Sequence, residues 1–596
     1  MRKQNKSVAG IATIRVTLIY VALLLWFGVV IFRVAQLTLA SDSRVEYFSD
    51  HQGVVDEKID LPRGVIYDRN KQELALSIEM DSIYINPKLV DIDGGDIDKI
   101  ATALEPLDQR SKEQLRKRLL QRVKSRGDKN FVWIKRKASE DEASRVRSAK
   151  VAGIGFVKES RRFYPKKSLA SRIIGFSGVD NQGLSGIEYK FDDLIGTVQS
   201  NSTSVIDAYG RLLKVPTEIK SMNESQAPAL VLTIDERIQF ITENALANQL
   251  KKTNAKSAVA IVMDPKSGQI LAMGEQPKFN ANSFSKYDPS RWNPMAVSKV
   301  FEPGSTMKIF SAAAAIEEGA LKANDIIYCE NGNYKVANHI FREAKGHKYK
   351  YLSLSNVLVK SSNIGAIKVG EKLGADRLYE YVSKFGFGSR TGIDLPGESA
   401  GLLKEVKDWS KVSLASISFG QEIGVTPIQL ATAMSVIAND GWLVKPLIAK
   451  ALVKDGKVVK EYKIEKRRRV ISSSTAKILQ KILRKVVHVG TGNQAEVDLL
   501  EVAGKTGTAQ KIDPTSRRYS KDRYVASFAG FAPANDPKLV VVVVIDEAEK
   551  NHWGGTIAAP VFAEIISRSF NLLSIQTEGI RMYEVDWHNL TKEHVI

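Results

Sequence analysis

Hydrophobic and polar positions divide the chain into one long apolar segment followed by many short amphipathic or alternating ones. Residues 16–32 are uncharged and almost wholly apolar, and the stretch to Leu39 adds only Arg33 and Gln36 as strongly polar residues. That length is sufficient for a helix that crosses a bilayer, with basic side chains reaching the interface at both ends. The pattern predicts a transmembrane anchor over residues 16–39.

The flanks of the apolar segment predict its orientation. The basic residues that precede it are Arg2, Lys3, Lys6 and Arg15. The positive-inside rule then places residues 1–15 in the cytoplasm. A cleaved signal peptide is the alternative, but the apolar run is long for one and residues 34–41 form a poor cleavage site. We expect an uncleaved anchor, with everything after about residue 40 exported.

The segment after the anchor is rich in charge and in the alternation typical of β-strands. Residues 111–124 carry apolar side chains at helical spacing, which predicts an amphipathic helix. Residues 217–228 are polar and predict a linker. The expected organisation is a mixed pedestal domain over 40–225, a larger domain over 226–575 and a polar C-terminal tail over 576–596.

The larger domain has predicted strands at both of its sequence ends and helices between them. The predicted strands cover 230–234, 257–263, 269–273, 524–531 and 538–545, and the predicted helices follow Asp235 as far as Leu250 and cover 559–573. The four later strands form two hairpins. Because these hairpins come from distant parts of the sequence, we expect them to meet in one sheet flanked by helices, which is an α+β arrangement.

The charge of the chain changes this interpretation little. The formal net charge is +20, from 87 basic and 67 acidic residues, but the basic residues are scattered and the longest run covers only 466–469. No nucleic-acid-binding motif accompanies that run, so we expect no nucleic-acid partner. A basic surface suits a protein that lies beside anionic lipid.

The cysteine and histidine content points away from disulfide and metal chemistry. Cys329 is the single cysteine, so no intramolecular disulfide is possible, and a lone cysteine is usually a small buried hydrophobe. The seven histidines are dispersed without zinc-site spacing. We expect no metal and no cofactor.

The strongest chemical signal is the segment over residues 301–319. Pro303 and Gly304 break the chain, and Ser305 then opens an alanine-rich helix that carries Lys308 one turn later. A serine hydroxyl needs a base before it is a good nucleophile, and a neutral lysine on the same helical face can be that base. The helix N-terminus also directs N–H groups and positive potential at the reacting oxygen.

The S-x-x-K pattern alone does not choose Ser305. The same spacing links Ser283 to Lys286 and Ser474 to Lys477. The first pair lies in a loop rich in proline and asparagine, and the second opens an ordinary amphipathic helix for which Ser474 is the expected cap. The apolar residues after Ser305 instead predict a buried helix, which favours this serine.

Two further short motifs accompany the first in the same domain. Lys360-Ser361-Ser362-Asn363 places a hydroxyl and an amide on one turn, and Lys505-Thr506-Gly507-Thr508 suits an edge strand whose glycine allows a substrate backbone to approach. As isolated motifs, Ser221-Met222-Asn223 and Lys266-Ser267-Gly268 match equally well. The order and shared domain of the three motifs are what support a common site.

Together these motifs resemble the S-x-x-K, S-D-N and K-T-G signature of penicillin-binding proteins and serine β-lactamases, with Ser362 in place of the aspartate. The resemblance is closest to class B penicillin-binding proteins of the cell-division type, and it extends from the anchor to about residue 570. Its other matching segments are the Arg-Gly box over 61–69, a second pedestal box over 183–188, and residues 419–421, 425–429 and 524–528.

The resemblance implies a peptidoglycan D,D-transpeptidase that is inhibited by β-lactams and has the α+β fold of that family: a single transmembrane helix, an elongated mixed pedestal domain, and a transpeptidase domain with an antiparallel sheet flanked by helices. Ser305 would attack the penultimate D-Ala of a stem pentapeptide, with Lys308 as base and Ser361 as proton relay to the leaving amine. Asn363 would hold the donor peptide.

The third motif would bind the substrate carboxylate. Lys505 would supply the cation, beside Gly507 and the hydroxyls of Thr506 and Thr508, and the N–H groups of Ser305 and Thr508 would form the oxyanion hole. Lys308 must be neutral to act as a base. We expect burial and the neighbouring Lys505 cation to lower the pKa of Lys308.

The resemblance also implies a location and partners. The chain would cross the bacterial inner membrane once and carry its catalytic domain in the periplasm. Its partners would be peptidoglycan stem pentapeptides, β-lactams, and a polytopic glycan polymerase with other division proteins that contact the anchor and pedestal. The chain length, the absence of an appended C-terminal repeat domain and the motif flanks favour a septal role, with side-wall synthesis as the alternative.

Other functions fit less well. A β-lactamase shares the acylation chemistry, but the anchor and the long pedestal argue against it. A non-enzymatic β-lactam sensor would need a cytoplasmic signalling domain before the anchor. A division scaffold is compatible with catalysis. The pedestal is too short for the glycosyltransferase domain of a class A enzyme.

Overall fold

The computed structural model describes residues 5–39, 54–60, 62–91, 95–107, 110–125, 131–197, 199–206, 212–214, 227–513 and 515–579. The predicted linker over 217–228 lies outside these ranges apart from its last two residues, and so does the predicted tail beyond residue 579.

The helices and strands of the described residues are numbered in chain order. The helices are α1 (Asn5–Leu39), α2 (Asp96–Leu104), α3 (Lys112–Lys124), α4 (Glu140–Ser148), α5 (Ser171–Ile174), α6 (Gly186–Lys190), α7 (Asp192–Ile195), α8 (Glu236–Thr253), α9 (Met295–Ser298), α10 (Met307–Glu317), α11 (Leu354–Lys360), α12 (Asn363–Leu373), α13 (Ala375–Lys384), α14 (Ser413–Ser418), α15 (Pro427–Ala438), α16 (Ser473–His488), α17 (Gly554–Ile557) and α18 (Ala559–Gly579). The strands are β1 (Val54–Asp60), β2 (Ile66–Tyr67), β3 (Glu73–Ile85), β4 (Val132–Ala138), β5 (Ile154–Phe163), β6 (Gln199–Ile206), β7 (Leu212–Lys214), β8 (Ala229–Leu232), β9 (Ser257–Met263), β10 (Ile270–Gln276), β11 (Ile326–Tyr328), β12 (Asn333–Val336), β13 (His339–Arg342), β14 (Tyr351–Ser353), β15 (Trp442–Val444), β16 (Ala449–Lys454), β17 (Lys457–Glu461), β18 (Lys466–Arg469), β19 (Ala503–Ile512), β20 (Tyr519–Ala532) and β21 (Leu539–Asp546).

The first compact unit comprises Met1–Leu61 and Gln199–Ser225. Within it, α1 contains a 24-residue apolar stretch, Thr13–Gln36, none of which is buried in the protein. At 1.5 Å per residue this stretch is about 36 Å long, enough to cross a hydrocarbon core of about 30 Å. The predicted apolar helix over 16–39 is confirmed. In the same unit β1, β6 and β7 form an antiparallel sheet.

The second compact unit comprises Pro62–Val198 and Gln226–Ile596 and contains a five-stranded antiparallel sheet in the order β10-β9-β21-β20-β19. The two predicted hairpins, β9 with β10 and β20 with β21, are confirmed. They meet because β21 pairs with β9, with Val541 opposite Val262. Strands from distant parts of the sequence therefore form one sheet, as predicted.

Helices cover both faces of this sheet. On one face α8 and α18 contribute Ile238 and Phe562, which are buried with Val541 of β21. On the other face α10 and α15 contribute Phe310 and Met434 to the larger core. From its start through its four consecutive alanines α10 is wholly buried, because these small side chains let it lie inside the core. The predicted α+β class and the buried alanine-rich helix are confirmed.

Two other local helix predictions are also confirmed. Helix α3 covers 112–124 and is preceded by Ser111, whose hydroxyl accepts a hydrogen bond from Gln114 N at 3.4 Å. Helix α8 begins after Asp235, whose carboxylate accepts from Arg237 N at 3.0 Å. In each case a short oxygen-bearing side chain satisfies a backbone N–H that has no partner within the helix.

A second sheet joins strands from both sides of residue 226. Its order is β17-β16-β8-β2-β3-β4, with β5 also paired to β3. Strand β8 pairs in parallel with β2 and antiparallel with β16. Residues 62–198 consequently share a compact unit with the residues after 226, while β1, β6 and β7 of the predicted pedestal belong to the other unit. A domain boundary at residue 225 stays a prediction.

The Arg-Gly box and the second pedestal box meet in a buried ion cluster. Glu188 is fully buried, and its Oε2 accepts a hydrogen bond from Arg63 Nη2 at 2.8 Å. Its Oε1 accepts from Arg162 Nε at 2.6 Å and from the Tyr164 hydroxyl at 3.2 Å. A buried carboxylate is tolerated because its oxygens are satisfied by these donors. The two segments thus contain the two halves of one structural contact.

Glu188→Ala is expected to destabilise this unit strongly, because it leaves the buried Arg162 guanidinium without its counter-ion and Arg63 with the Asp192 carboxylate alone. Removing one partner of a buried pair typically costs about 3–5 kcal/mol in the free energy of unfolding. Urea unfolding of the detergent-solubilised chain measures this loss. The matched control is Glu564→Ala, which removes a surface i,i+4 pair with Arg568 and should cost less than about 1 kcal/mol. Equal losses in the two variants would contradict the prediction.

Candidate active site

Ser305 lies in a tight turn that leads into the buried helix α10. Gly304–Thr306 form a 3₁₀ turn, and α10 begins at the next residue. Gly304 has a φ of 54°, and a Cβ there would lie 2.8 Å from Thr508 O. Glycine therefore permits both the left-handed backbone and the close approach to β19. The half-exposed Ser305 is held between the N-terminus of α10 and that strand.

The segment over 419–421 supports the nucleophile turn. Gly304 N donates a hydrogen bond to Gly420 O at 3.0 Å. Gly420 has a φ of 94°, and a Cβ there would lie 2.1 Å from Gly304 O. A larger residue at position 420 would push the turn away, which gives a physical reason for glycine in this segment.

Lys308 lies one helical turn after Ser305 and is 1% exposed. Its Nζ donates to Ser361 O at 2.7 Å and to Asn363 Oδ1 at 2.7 Å, and it lies 3.4 Å from Ser361 Oγ. Burial lowers the pKa of Lys308 to about 7, while the Glu343 carboxylate acts in the opposite direction. Near neutral pH a large fraction of Lys308 is therefore unprotonated and able to accept a proton.

Ser361 and Asn363 occupy the junction between α11 and α12. Ser361 ends α11 in the left-handed conformation, with a φ of 58°. Ser362 caps α12, and its Oγ accepts a hydrogen bond from Gly365 N at 2.9 Å. This reversal of the chain brings Ser361 O and the Asn363 side chain to the Lys308 amine. The hydroxyl and amide predicted to share one turn do so.

Lys505 reaches the same turn from β19. Its side chain is fully buried, and its Nζ donates to Ser361 Oγ at 2.9 Å and to Thr506 O at 3.2 Å. Burial and repulsion from the Lys308 ammonium both lower the pKa of Lys505. The predicted lowering of the Lys308 pKa by burial is confirmed, whereas the repulsion between the two amines lowers the pKa of Lys505. Ser361 Oγ thus lies between two amines.

Gly507 and its two threonine neighbours lie on β19, the edge strand of the five-stranded sheet, where Gly507 pairs with Ser527 of β20. The predicted edge strand is confirmed. A Cβ at Gly507 would lie 2.3 Å from Ser527 Oγ and 2.8 Å from Pro303 O. We predicted this glycine as a place for a substrate backbone. The structure shows that it lets the strand approach the nucleophile turn.

A cavity of about 580 Å³ opens over these groups. Among its lining residues are the predicted Ser305, Ser361, Asn363, Thr506 and Thr508, together with Tyr524, His552 and Trp553. The rings of Tyr524 and His552 stack with centroids 4.0 Å apart. The structure brings together every predicted site residue, with the two lysines behind the cavity wall and the hydroxyls at its surface.

His552 and Trp553 were not predicted from the sequence. They lie between β21 and α17, in a short segment followed by Gly554 and Gly555. Two adjacent aromatic residues before a glycine pair were the available signal. Their place in the same cavity as Ser305 depends on the approach of Gly304 to Thr508 of β19, a contact between distant parts of the sequence that local patterns do not specify.

The other two S-x-x-K pairs lack these surroundings. Ser283 lies at a kink between short 3₁₀ turns, and Lys286 is exposed. Ser474 and Lys477 are both exposed in the first turn of α16. The prediction that Ser474 caps this helix is wrong: Ser472 is the cap, and its Oγ accepts from Thr475 N at 3.2 Å. Only around Ser305 is the paired lysine buried.

The site is built from hydroxyl, amine and amide groups. Cys329 is buried with a free thiol, and burial raises its pKa. Within the described part of the chain, no three or more His, Cys, Asp or Glu side chains are grouped so as to hold a metal ion. The chemistry that this arrangement offers is proton transfer to and from a serine hydroxyl.

Comparison with known families agrees with this arrangement. The profile of the penicillin binding protein transpeptidase domain matches residues 258–567, and that of the penicillin-binding protein dimerisation domain matches residues 58–226. The chain belongs to the class B penicillin-binding proteins. As a member of this class it is a peptidoglycan D,D-transpeptidase of the serine acyl-enzyme type and binds β-lactams.

Related class B penicillin-binding proteins match almost the whole chain. It is 30% identical to the peptidoglycan D,D-transpeptidase FtsI of Escherichia coli K12, over 97% of this chain and 95% of that protein. It is 33% identical to the stage V sporulation protein D of Bacillus subtilis, over 95% and 87%. The crystal structure of penicillin binding protein 3 from Mycobacterium tuberculosis with aztreonam matches 87% of this chain and 98% of its own, with a TM-score of 0.67 and 27% identity. The names of these relatives point to different cellular roles.

Proposed function

We propose that Ser305 is the nucleophile of this transpeptidase and Lys308 its general base. The observation that carries the proposal is the Lys308 amine, which is buried, has a pKa of about 7 and lies one helical turn from Ser305. A serine hydroxyl reacts once a base removes its proton, and a base works best when its pKa lies near the working pH. The lysines that follow Ser283 and Ser474 are exposed and lack this burial.

In the first half-reaction, Ser305 Oγ bonds to the carbonyl carbon of the penultimate D-Ala of a stem pentapeptide, and its proton passes to Lys308. The bond between that carbon and the nitrogen of the terminal D-Ala breaks, and the leaving amine takes a proton relayed through Ser361. In the second half-reaction, the amine of a neighbouring stem peptide bonds to the acyl carbon and gives up a proton, the ester bond between that carbon and Ser305 Oγ breaks, and Ser305 Oγ takes up a proton. The N–H groups of Ser305 and Thr508 stabilise the oxyanion in both steps.

Ser361 is suited to relay a proton because its Oγ lies 2.9 Å from Lys505 Nζ and 3.4 Å from Lys308 Nζ. The substrate carboxylate would lie beside Lys505 and the hydroxyls of Thr506 and Thr508. Its negative charge raises the pKa of Lys505 again, so binding restores the lysine cation.

Asn363 is placed to hold the donor peptide. Its Oδ1 accepts from Lys308, and one N–H of its amide donates to Arg342 O at 3.0 Å. The second N–H remains for a peptide carbonyl of the donor, since a primary amide has two donor hydrogens.

We further propose that this activity serves the division septum, in a complex with a polytopic glycan polymerase that contacts α1 and the pedestal. The support is the match to Escherichia coli FtsI over nearly the full length of both chains, pedestal included. The match to a sporulation protein over a similar length favours a second candidate, a related but more specialised wall-synthesis role.

Depletion of the protein from its host is expected to block septation and give filaments, because cell elongation continues while septal cross-linking stops. Cell length under the microscope measures the effect. Expression of wild-type protein should restore division, and Ser305→Ala should not. Rounded or swollen cells would contradict the septal proposal and favour the side-wall role.

The chain is also proposed to cross the inner membrane once, with its N-terminus in the cytoplasm and its catalytic part outside. A reporter fused after Ile596 should then be active when it is one that works outside the cytoplasm, and inactive when it is one that works inside. The physical reason is the exposed apolar stretch Thr13–Gln36 with basic residues on its N-terminal side, the one such stretch among the described residues. Release of the full-length protein by a high-salt wash would contradict a spanning anchor.

A further inference from the structure

A second cavity, of about 660 Å³, adjoins the active-site cavity along β19. The two cavities share Ala509 and Gln510 as lining residues. Beyond them the second cavity continues along the same strand to Ile512, and its opposite wall includes Glu302, Leu402 and residues 422–424. We call it the distal cavity. Along β19 it begins at Ala509, the residue after Thr508.

The direction of β19 determines which part of a donor peptide reaches the distal cavity. In the proposed function the terminal carboxylate lies at Lys505 and Thr506, and the scissile carbonyl lies at Thr508. The residues on the amino side of the D-Ala pair must then continue past Thr508 along the free edge of the strand. A strand advances about 3.3 Å per residue, so the distance from Thr508 to Ile512 is about 13 Å, which accommodates the three remaining residues of a pentapeptide.

Glu302, in the wall of the distal cavity, has one carboxylate oxygen with no hydrogen-bond partner in the part of the chain that the structure describes. Lys299 and Lys511 line the cavity, but both are paired with Asp546, at 2.6 Å and 2.9 Å. Glu302 Oε1 accepts from Glu422 N at 3.0 Å, whereas Glu302 Oε2 is buried with no hydrogen-bond partner among the described residues. Glu302 Oε1 also accepts from the Tyr519 hydroxyl at 3.0 Å, and burial raises the pKa of Glu302 to about 7, so a ligand amine that pairs with Oε2 would favour the charged carboxylate.

We propose that the distal cavity binds the three amino-terminal residues of the donor stem peptide, with Glu302 accepting a hydrogen bond from a side-chain amine of that peptide. Stem peptides carry such an amine because the amine of one stem attacks the acyl group of another. The inference rests on the proposed function, which sets the direction of the donor along β19. The part of the donor that precedes the D-Ala pair would then be bound by residues of the distal cavity, which lie outside the three motifs.

Two synthetic donors with the same reactive end test this inference. One is an acyl-D-alanyl-thioglycolate, and the other carries the full stem tripeptide before the same D-alanyl thioester. We expect the long donor to acylate the full chain at least about tenfold faster at equal concentration, because remote contacts contribute to the transition state. Leu402→Trp, at an exposed position of the cavity wall, should bring this ratio near one while acylation by the short donor and by benzylpenicillin is unchanged. The control is Val458→Trp, on the exposed strand β17 outside both cavities.

A second comparison isolates the amine. Acetylation of the side-chain amine of the long donor should slow acylation of the wild type, and Glu302→Gln should remove most of that difference. Two results would overturn the distal-cavity proposal if benzylpenicillin still acylates Ser305. One is a wild-type protein that reacts equally fast with both donors, and the other is a preference for the long donor that persists in Leu402→Trp. Failure of benzylpenicillin to acylate Ser305 would overturn the proposed function, and this inference with it.

A separate observation concerns Glu343, which follows β13 and is 6% exposed. Its carboxylate accepts hydrogen bonds from Asn363 N at 2.7 Å, from Ile364 N at 3.3 Å and from Ser362 Oγ. One side chain therefore satisfies the first N–H groups of α12 and the hydroxyl of its cap. These are the groups that set the position of Asn363 and of the turn before it.

We infer that Glu343 is a positioning residue for the transpeptidase reaction, holding the turn over 361–363 against Lys308. Its negative charge also favours the protonated form of Lys308. The titratable groups that face Glu343 are Lys308, Cys329 and Tyr349. This inference gives Ser362 a function as well, because its hydroxyl connects the turn to the Glu343 carboxylate.

The pH profile of acylation by benzylpenicillin tests the inference. Glu343→Gln removes the charge that raises the Lys308 pKa, so the midpoint of the profile should move to lower pH. The acylation rate on the high-pH plateau should also fall by about tenfold, because the turn loses the charged carboxylate that accepts its hydrogen bonds. Glu343→Asp keeps the charge and should keep the midpoint near that of the wild type.

The matched control is Glu317→Gln. Glu317 accepts from Ser472 N at 2.9 Å and Ser472 Oγ at 2.8 Å, so it supports the serine cap of α16 as Glu343 supports that of α12. Glu317→Gln should leave the midpoint and the plateau of the pH profile unchanged, even if it lowers the melting temperature of the protein. A Glu343→Gln profile that coincides with the wild type, or an equal shift in both variants, would overturn the inference.

Discussion

Ser305→Ala is expected to abolish covalent labelling by penicillin and cross-linking of stem peptides, while Ser283→Ala and Ser474→Ala retain both. The three serines share the same spacing to a lysine, but only Lys308 is buried, and its burial lowers its pKa to about 7. The other two lysines are exposed and lack the burial that prepares Lys308 to accept a proton from serine. A fluorescent penicillin followed by gel electrophoresis measures the labelling.

The control for this experiment is the folded state of each variant. Ser305 is half-exposed in its turn, so the loss of one hydroxyl should leave the melting temperature close to that of the wild type. Retained labelling of a folded Ser305→Ala protein would show that another residue is the nucleophile. Loss of labelling in either of the other two variants would contradict the distinction made by burial.

Lys308→Ala is expected to slow acylation by ~10²–10⁴-fold, which is the usual loss when a positioned general base is removed. The wild-type rate should depend on pH in a defined direction. Below a pH of about 7 Lys308 is mainly protonated and cannot act as a base, so the rate should rise as the pH passes upwards through about 7. The residual rate of the variant should lack this rise. Stopped-flow acylation over a range of pH measures both effects.

A wild-type acylation rate that falls as the pH rises through 7 would contradict the role given to Lys308. A lysine must be neutral to act as a base, so the rate can only rise as Lys308 loses its proton. Lys477→Ala is the matched control. It removes the exposed lysine of the other helical S-x-x-K pair and should change neither the rate nor its pH dependence.

The local elements were predictable because their signals are short in sequence. The apolar helix α1, the β9–β10 and β20–β21 hairpins and the buried helix α10 each follow from the spacing of apolar side chains. Ser305 and Lys308 are predictable for the same reason, since three residues separate them on one helix. Their chemistry depends on burial, which the apolar residues of α10 indicate.

The long-range part of the site required the family resemblance. Lys505 contacts Ser361 across 144 positions of sequence, and no local pattern specifies that contact. The parallel pairing of β2 with β8 is equally non-local, which is why the sequence does not predict that strands before residue 226 join a sheet of the later domain. Glu343 was missed because a single acidic residue in a polar segment gives no sign that it will be buried.

Whether Ser305 is the acylated nucleophile can be read by peptide mapping with mass spectrometry after reaction of the full chain with benzylpenicillin. We expect one acyl adduct, on the peptide that contains Ser305, and we expect this adduct to persist long after free penicillin is removed. An adduct on any other serine would contradict the catalytic assignment. Rapid loss of the adduct with turnover of penicillin would contradict the transpeptidase account and indicate a β-lactamase.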